Sequence, residues 1–478
     1  MRIVVIGTGM AGVRFAADLR AGDPGFRHEI TMFGAEPEPA YNRILLSSVL
    51  ADTFPLRDIA LPAAPDGVHM RVGRSVTEVD RAARVVRTEN GATEYDVLVF
   101  ATGSTPVVPP IPGLRGAAGL TPGAFTFRTA SDCRAILAAA RPGGNAVVLG
   151  GGPLGVEAAR ALAGRGMAVD LVHQQTHLLQ RHLDPVAGRI LAMALTAHGV
   201  RVHLDTAVTA VSGEERVSAV RLTDDTVLSC ELLVAACGTR PEVALARACG
   251  LAVNGGVVVD DRMRSITDPA VYAVGDCAEH RGVVHGLVEP AWEQASRAAA
   301  DIGGWSPEPR DRPVLPVLRL KAQDIDLAAM GDSAVVDEVD DPATEVVVFA
   351  DPARRRYKKL VLRAGVIVGA VFMGDTGTMG TVTDLFDRAR PAPADPAALL
   401  FDLATSGDST EQVVCRCNGV TAKTILACEG RTVSEVARRT RATTGCGGCA
   451  GDVAALLTRA SAKDPFASLA AATVNGAS

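Results

Sequence analysis

The sequence predicts an α/β protein with two doubly wound domains, a small α+β domain and a small helical module that carries two close pairs of cysteines. A strand, a Gly-rich turn, a helix and a second strand follow one another in residues 1–35, and this order recurs in residues 146–172. Residues 310–400 contain apolar runs typical of strands, with no helical spacing between them. A stretch rich in Pro, Ala and Asp, 390–398, then precedes the cysteine-bearing segment 411–460.

The composition excludes several classes of protein. A chain of 478 residues, 48% hydrophobic and 21% charged, has the material for about three packed domains. The net charge is −6 and aromatic residues make up 4%, so neither nucleic acid nor an anionic membrane is an expected partner. No apolar run approaches the roughly 20 residues that a membrane span needs. We therefore expect a cytoplasmic protein whose ten cysteines are mostly reduced or bound to metal.

The first Gly-rich turn has the spacing of a dinucleotide site. Five of its residues are expected to line a cofactor: Gly7, Gly9, Met10, Ala11 and Gly12. The glycines permit a tight turn and let the backbone approach a pyrophosphate, and the helix that follows offers free N–H groups to the phosphates. Glu36, after the second strand, can accept hydrogen bonds from a ribose. A purely structural turn is the alternative.

The second turn repeats this logic about 145 residues later. Gly150, Gly152 and Gly155 hold the corresponding positions and Glu157 follows at the start of the helix. Two such units predict two dinucleotides, or a duplication in which one site is inactive.

Two further segments narrow the class of protein. Leu98–Ser104 lies before the second unit and Val271–Ala278 well after it, and both read as a strand followed by a turn. With the first turn, they resemble the two-dinucleotide flavoprotein reductases over residues 1 to about 305. In that family FAD binds the first unit, and NAD(P)H binds a second unit inserted into it.

The resemblance implies roles for individual residues. The Asp that matches Asp276 holds the ribityl chain of the flavin, and Cys277 belongs to the same cofactor-binding segment. Thr102 and Gly103 match the point where the chain crosses between the two domains. Arg43 lies in a family-like stretch and is also expected to bind the cofactor.

The cysteine positions exclude some branches of this family. No cysteine precedes Cys133, so the close pair of a disulfide reductase is missing, and 41–50 offers serines where related oxidases carry one redox cysteine. Rubredoxin and ferredoxin reductases usually have a Lys near Ser48, which is also missing. The stretches 33–47 and 357–375 most resemble the large subunit of NADH-dependent assimilatory nitrite reductase and, equally, the electron-transfer subunit of assimilatory nitrate reductase.

Four C-terminal cysteines form the predicted metal site. They lie in two short loops: Cys415, Cys417, Cys446 and Cys449. Their spacing suits either an iron–sulfur cluster or structural zinc, and spacing alone leaves both open. The segment resembles the bacterioferritin-associated-ferredoxin-like [2Fe–2S] module of nitrite reductases, which favours the cluster. Cys428 and the five other cysteines are predicted to be small buried residues.

Taken together, these observations predict the following organisation. Six parts follow along the chain: an FAD-binding domain at 1–120 and 238–308, an NAD(P)-binding domain at 121–237, an α+β interface domain at 309–390, a linker at 391–410, the [2Fe–2S] module at 411–460 and a flexible tail at 461–478.

Electrons are expected to pass from NADH through FAD and the [2Fe–2S] cluster to an acceptor, because only a flavin exchanges both hydride and single electrons. By resemblance, the candidate catalytic residues are Glu157, near the nicotinamide, and Glu289 and Pro290, in a segment that sets a helix N-terminus against the flavin. NADH is preferred over NADPH because the strand 168–172 ends in His173-Gln174-Gln175, with no Arg to clamp a 2′-phosphate.

The expected acceptor is a separate terminal reductase polypeptide, since only 29 residues follow Cys449 and they hold no second cysteine set. Nitrate or nitrite reductase is the expected partner, and the oligomeric state is left open. The alternatives are an FAD-containing subunit of an opine or amine dehydrogenase, a ferredoxin- or rubredoxin-type reductase, and a redox-sensing cluster protein.

Overall fold

The computed structural model divides the chain into two compact units, Met1–Thr376 and Gly377–Ser478. The residues it describes are 1–117, 119–306, 317–335, 343–401, 413–415, 418–428, 430–445 and 447–463. The helices of these residues are α1 (Met10–Ala21), α2 (Leu46–Leu50), α3 (Ala130–Ala139), α4 (Pro153–Gly164), α5 (Pro185–Ala197), α6 (Ala244–Ala248), α7 (Val288–Gly303), α8 (Met379–Arg388), α9 (Ala422–Ala427), α10 (Val433–Thr440) and α11 (Ala450–Lys463).

The first dinucleotide unit is a parallel sheet whose central strand opens the chain. Its five strands are, in spatial order, Val271–Ala273, Val97–Phe100, Arg2–Ile6, Glu29–Phe33 and Val68–Arg71. The central strand is a β-branched run and is buried from Ile3 to Ile6, as expected where helices cover both faces of a sheet. Helix α1 packs against α7, so residues near 290–303 complete a unit that begins at Met1.

The second dinucleotide unit is a separate parallel sheet inserted between two strands of the first. Its strands are, in spatial order, Ala124–Thr126, Leu232–Ala235, Asn145–Leu149, Ala168–Val172 and Val200–His203. The chain enters and leaves through Ser104–Pro106 and Thr239–Pro241, which pair antiparallel with each other. The predicted insertion of one doubly wound unit into the other is confirmed.

Smaller antiparallel or two-stranded pairings surround the two sheets. These elements are Val76–Asp80 with Val85–Thr88 and Gly91–Glu94, Val208–Ser212 with Ala219–Leu222 and Val227–Ser229, Arg115–Gly116 with Gly119–Leu120, and Val257–Val259 with Ala278–His280. Short 3-10 helices cover Arg43–Leu45, Leu56–Ile59, Gly275–Cys277, Pro352–Arg354 and Pro396–Leu400.

The third domain is an antiparallel sheet, as the β-rich texture of the sequence predicts. Its strands are, in spatial order, Val317–Arg319, Leu327–Gly331, Val366–Met373, Arg356–Arg363 and Thr344–Asp351. Lys359 is 1% exposed and forms an ion pair with Asp184, which caps the N-terminus of α5. Tyr357 donates to the same carboxylate at 2.7 Å. These buried contacts tie the third domain to the inserted unit.

The second of the two compact units contains α8, the short helix Pro396–Leu400 and the cysteine module. In the module a hairpin of Val413–Cys415 and Val420–Thr421 precedes α9, α10 and α11. Two findings refine the predicted boundaries: Leu399 and Leu400 are buried inside the predicted linker, and α11 continues to Lys463, beyond the predicted start of the tail. Among the described residues, no helix is long and apolar enough to cross a membrane.

Candidate functional site

The first Gly-rich turn is built so that two of its glycines pack tightly and one faces open space. A Cβ at Gly7 (φ +121°) would lie 2.1 Å from the Ala101 carbonyl oxygen, and one at Gly12 would lie 2.3 Å from the Gly7 oxygen. A Cβ at Gly9, the N-cap of α1, would meet no atom within 4 Å. The turn therefore holds strand and helix close together and leaves its middle glycine open, which fits the approach of a pyrophosphate.

The second turn reproduces this construction. A Cβ at Gly150 (φ +111°) would lie 2.4 Å from the Ala236 oxygen, and one at Gly155 would lie 1.8 Å from the Gly150 oxygen. Gly152, the N-cap of α4, faces open space as Gly9 does. Both turns thus keep the geometry that a bound dinucleotide requires, and nothing in the second turn supports the inactive-duplicate alternative.

Glu36 and Arg43, both predicted to bind cofactor, lie together. The Glu36 carboxylate accepts a hydrogen bond from the Tyr41 hydroxyl at 2.6 Å and forms an ion pair with the Arg43 guanidinium. Arg43 also lies over the Tyr41 ring, 5.0 Å from its centroid, and donates to the Arg128 carbonyl oxygen at 2.6 Å. Burial raises the pKa of Tyr41, so its hydroxyl stays a donor to Glu36. This network surrounds the predicted ribose contact.

Asp276 lies at the end of a strand next to the first turn. Its carboxylate accepts from the Ser104 hydroxyl and from the Arg128 guanidinium, each at 2.8 Å. The preceding Gly275 has φ +81°, and a Cβ there would lie 2.9 Å from the Ala11 side chain. The predicted flavin contact therefore stands against the helix that begins at Met10.

Arg128 is the residue that sequence reasoning missed here. It belongs to the segment leading into α3, has no motif of its own, and reaches Asp276 across 148 residues of chain. Burial lowers its pKa, although the Asp276 charge opposes that shift. Arg128 therefore brings a positive charge to the predicted flavin site.

Cys277 is 0% exposed, and its thiol faces the carbonyl oxygens of Phe100 and Val274 at 3.4 Å each. Burial raises its pKa. The side chain is therefore part of the core.

Thr102 and Gly103 occupy the crossing between the two dinucleotide units. The Thr102 hydroxyl donates to the Glu242 carbonyl oxygen at 2.6 Å, and the Glu242 N–H donates to the Gly103 carbonyl oxygen at 2.9 Å. Gly103 has φ +72°, a conformation that a residue with a side chain rarely adopts. The two crossing segments are therefore hydrogen-bonded to each other at the point that the resemblance marks as the crossing.

Glu157, a candidate catalytic residue, is buried near the start of α4 and held by the third domain. One of its carboxylate oxygens, Oε1, accepts from the backbone N–H of Lys321 at 2.8 Å. One turn later, Arg160 donates to the Gln323 carbonyl oxygen at 3.1 Å and pairs with Asp324 at 2.8 Å. The turn 321–324 thus fastens α4 at two points. No sequence motif predicts this arrangement.

Glu289 and Pro290 lie in the first turn of α7, as the resemblance implied for a helix N-terminus. The N-cap residue is Leu287, which offers no capping side chain, so the first N–H groups of α7 are not satisfied by that residue. Farther along α7, the Gln294 side chain accepts from the Gly275 N–H at 2.8 Å. Helix α7 is therefore anchored to the Asp276 turn through Gln294.

The strand end of the second unit differs from that of the first. The His173 Nδ1 accepts from the Gly151 N–H at 3.1 Å and its Nε2 lies 3.0 Å from the Gln180 side-chain oxygen. Burial lowers the pKa of His173, which favours the neutral ring. Asp170 is buried within the strand and bound by Arg201 and His203, so its carboxylate is already engaged.

The cysteine module is only partly described. Cys415 and Cys449 belong to one buried cluster with Val420, Ile425 and Val436, whereas Cys417 and Cys446 lie outside the described residues. The Asn418 side chain donates to the Thr444 hydroxyl at 3.3 Å and lies 3.8 Å from the Cys415 sulfur. One predicted ligand from each cysteine loop therefore belongs to the same buried core, which fits the binding of one iron–sulfur cluster by both loops. The described residues alone contain no group of three potential metal ligands.

The remaining cysteines divide into two groups. Cys133 and Cys230 are buried as predicted, and burial raises their pKa values to about 11 and about 12. Cys237 is exposed, so the prediction of a buried position is wrong for it. Cys249 and Cys428 are half-buried and pack against the cores of their domains, so the prediction holds for them only in part. Cys237 lies two residues after the strand Leu232–Ala235, where the chain leaves the sheet for the crossing.

Three family models match successive parts of the chain. Pyridine nucleotide-disulphide oxidoreductase matches residues 1–301, rubredoxin NAD+ reductase C-terminal domain matches 316–389, and BFD-like [2Fe-2S] binding domain matches 413–459. These matches coincide with the two dinucleotide units, the third domain with α8, and the cysteine module.

Similar curated proteins cover almost all of this chain. A nitrite reductase [NAD(P)H] of Bacillus subtilis is 35% identical over 94% of the chain and 56% of its own length. The assimilatory nitrate reductase electron transfer subunit of the same organism is 34% identical over 94% and 58%. The chain thus spans a little over half the length of these two relatives. Rhodocoxin reductase of Rhodococcus erythropolis is 32% identical over 66% of the chain and 74% of its own length.

A solved structure supports the fold. The covalent putidaredoxin reductase–putidaredoxin complex matches with a TM-score of 0.73 and 27% identity, over 83% of this chain and 95% of that one.

Proposed function

The chain belongs to the pyridine nucleotide-disulphide oxidoreductase family, and from that premise we propose that it carries electrons from NADH to a separate reductase polypeptide. The family brings FAD and a nicotinamide nucleotide to residues 1–301, and the matched module brings a [2Fe–2S] cluster. The observation that carries the proposal is this combination: two intact dinucleotide turns and one cluster module in a single chain.

The cofactors explain why the parts occur together. FAD, when bound, accepts a hydride and can release its electrons singly, as a [2Fe–2S] cluster requires. The chain itself binds the cofactors and orients them. The open glycines Gly9 and Gly152 and the N-termini of α1 and α4 are placed to receive two pyrophosphates. We assign Asp276 to the orientation of the flavin ribityl chain, and this assignment is supported by its hydrogen bond with Arg128 beside the first turn.

The remaining site residues are assigned to the orientation of the cofactors and to the electrostatics around them. Glu157 is held by the Lys321 N–H with its carboxylate at the start of the nucleotide helix. The start of α7 has no capping side chain from Leu287, and its backbone N–H groups carry a partial positive charge that the Glu289 carboxylate in the same turn opposes. Hydride transfer needs no acid or base from the protein, so we assign these residues to orientation and electrostatics.

We propose assimilatory nitrate or nitrite reductase as the acceptor. Its support is the similarity to a protein named as the electron transfer subunit of assimilatory nitrate reductase and to nitrite reductases. A reductase for a small redox protein is the second candidate, favoured by the similarity to rhodocoxin reductase and to the putidaredoxin reductase fold.

Replacing one cluster ligand tests the proposed order of electron transfer. In Cys446→Ser, FAD should remain bound and NADH should still bleach it, because both dinucleotide turns lie in residues 1–301. Reduction of the partner reductase should fall by at least about a hundredfold, since the cluster path is lost. Iron, acid-labile sulfide and flavin analysis check the composition. Full transfer by the variant would place the electron exit at the flavin and contradict the order.

The pure protein tests the component interpretation separately. With NADH alone it should form neither nitrite from nitrate nor ammonia from nitrite, and either product should appear once the partner reductase is added. Product formation without a partner would contradict a separate terminal reductase. Reduction of a small redox protein, with no response to either partner reductase, would favour the second candidate.

A further inference from the structure

The cysteine module has the opposite charge to the chain that carries it. Residues 413–459 contain seven Lys and Arg residues and three Asp and Glu residues, a formal net charge of +4, whereas the whole chain carries −6. Four of the basic residues lie close together in sequence around α10 and are exposed: Arg431, Arg438, Arg439 and Arg441. We call these four residues the basic face.

The basic face carries more positive charge than the described acids of the module offset. Those acids are Glu435 and Asp452. The Glu435 carboxylate accepts from the backbone N–H groups of Arg431 at 2.8 Å and Thr432 at 3.2 Å, as part of a capping box. These hydrogen bonds lower the pKa of Glu435, and the charges of Arg438 and Arg439 lower it further, so one carboxylate partly offsets two of the four guanidinium groups. By contrast, exposed arginines of the first unit, such as Arg2 and Arg281, have carboxylate partners.

Helix stability does not account for this arrangement. Arg438 and Arg439, in the last turn of α10, complement the negative end of the helix dipole. Arg431, however, directly precedes the N-cap of α10, and Lys423 is the second residue of α9. Positive charge at those helix starts opposes the dipole, so the module carries basic residues where they do not stabilise it.

The basic face lies next to the cysteine loops. Arg441 follows α10 and leads into the loop that carries Cys446 and Cys449. Its carbonyl oxygen accepts from the Asn418 side chain at 2.6 Å, and that side chain also lies 3.8 Å from the Cys415 sulfur. Arg441 therefore lies where the two cysteine loops meet, and Arg438 and Arg439 lie in the helical turn that precedes it.

We propose that the basic face is a docking surface for an acidic patch, rich in Asp and Glu, on the protein that receives electrons from this chain. The proposal rests on the proposed function for the direction of electron flow, but the surface and its charge do not. Complementary charge would steer the partner to the cluster loops and hold it there, an effect that weakens as salt rises. In each productive cycle one NADH becomes NAD+ and a proton, and two one-electron acceptors are reduced.

The test compares charge at this face with the same charge elsewhere. The variant is R438E/R441E, and the control is R141E/R247E, which alters two exposed arginines outside the cysteine module by the same total charge. The probes are two haem proteins of opposite charge, acidic cytochrome b5 and basic cytochrome c, with dissociation constants measured by calorimetry over a series of salt concentrations.

We expect the wild-type protein to bind cytochrome b5 more tightly than cytochrome c, and more weakly as salt rises. R438E/R441E should weaken cytochrome b5 binding roughly tenfold, while R141E/R247E should change it by less than about twofold. Equal losses in both variants, or tighter binding of cytochrome c, would overturn the proposal. So would salt-sensitive retention on double-stranded DNA that only R438E/R441E loses, since the occupant would then be nucleic acid.

Two controls keep the outcomes distinct. The neutral variant R438Q/R441Q should show a smaller loss in the same direction, and iron content with circular dichroism verifies that each variant folds. If the reduction potential of the cluster shifts in R438E/R441E while cytochrome b5 binding is unchanged, the face tunes the cluster and the docking proposal fails. Failure of the proposed function is seen separately, as absence of NADH-dependent bleaching, because binding is measured without NADH.

Discussion

The two dinucleotide units share one backbone design and differ at the end of the second strand. In each, the outer glycines of the turn pack against backbone and the middle glycine faces open space. In the first unit the strand leads to Glu36, whose carboxylate is bound by Tyr41 and Arg43. In the second it ends at His173, whose ring is bound to the turn itself through the Gly151 N–H.

This comparison separates what is common to dinucleotide binding from what selects the nucleotide. The turns and the helix N-termini offer the same N–H groups to any pyrophosphate. The strand-end side chains face the ribose, where a free hydroxyl and a 2′-phosphate differ by nearly two charges. The helix that follows each turn also has different contacts. Helix α1 packs on α7 of its own unit, whereas α4 is hydrogen-bonded to the third domain.

The largest expected effect comes from adding a side chain at a packed glycine of one Gly-rich turn at a time. Gly155→Val places its Cβ against the Gly150 oxygen, 1.8 Å from the ideal position, so the second turn must open. FAD should stay bound at one per chain, while the rate of flavin reduction by NADH should fall by at least about a hundredfold. The control Gly12→Val, in the equivalent position of the first turn, should lose FAD instead. Loss of FAD in Gly155→Val would show that the two turns are not independent.

The second expected effect concerns the choice between NADH and NADPH. Asp170 is engaged by Arg201 and His203, and the strand end offers His173 and glutamines. These groups can hydrogen-bond a ribose but give a 2′-phosphate no guanidinium clamp. We expect kcat/KM to be at least about tenfold higher for NADH, a difference of roughly 1.4 kcal/mol. Equal use of NADPH in steady-state assays would mean that a basic residue reaches the ribose.

The sequence predicted the parts of the site that follow from local pattern. The Gly spacings, the strand runs and the cysteine pairs are short-range features, and each turn has the geometry expected from its motif. The contacts that were missed join distant residues: Arg128 reaches Asp276 across 148 positions, and the Lys321 N–H reaches Glu157 across 164. A backbone donor has no residue type to recognise, and a single Arg has no spacing. Only the fold reveals such partners.

A smaller effect is expected from loss of the hydrogen bond that joins the third domain to α4. Lys321→Pro removes the backbone N–H that Glu157 accepts, whereas Lys321→Ala keeps it, so the pair separates the backbone donor from the side chain. Hydrogen bonds to a charged group contribute about 1.5 to 3 kcal/mol. We expect Lys321→Pro to lower the rate of flavin reduction by NADH about tenfold with FAD content unchanged, and Lys321→Ala to stay within about twofold of wild type. Stopped-flow spectroscopy under anaerobic conditions measures both.

An unchanged rate in Lys321→Pro would show that Glu157 does not depend on this bond. A loss of the same size in Lys321→Ala would instead assign the effect to the lysine side chain. Loss of FAD in either variant would indicate general damage to the unit, since the first turn lies far from this contact in sequence.

The smallest expected effect is a pH dependence that belongs to the second unit alone. Neutral His173 accepts from the Gly151 N–H at Nδ1, and a protonated ring cannot accept there. Burial lowers the folded-state pKa of His173 below the ordinary value near 6.5, so the unfolded state binds the proton first as pH falls. The contribution of His173 to stability is therefore complete above about pH 6.5 and is lost as pH falls toward the folded pKa.

NADH affinity should decline over the same window, by about threefold, because the turn loses one support. His173→Asn, whose side-chain oxygen can accept at all these pH values, should flatten that decline. FAD affinity should show no such change, since Glu36 holds the equivalent place in the first unit. Fluorescence titrations of both cofactors between pH 5 and 8 would decide the matter, and a decline that persists in His173→Asn would locate the titrating group elsewhere.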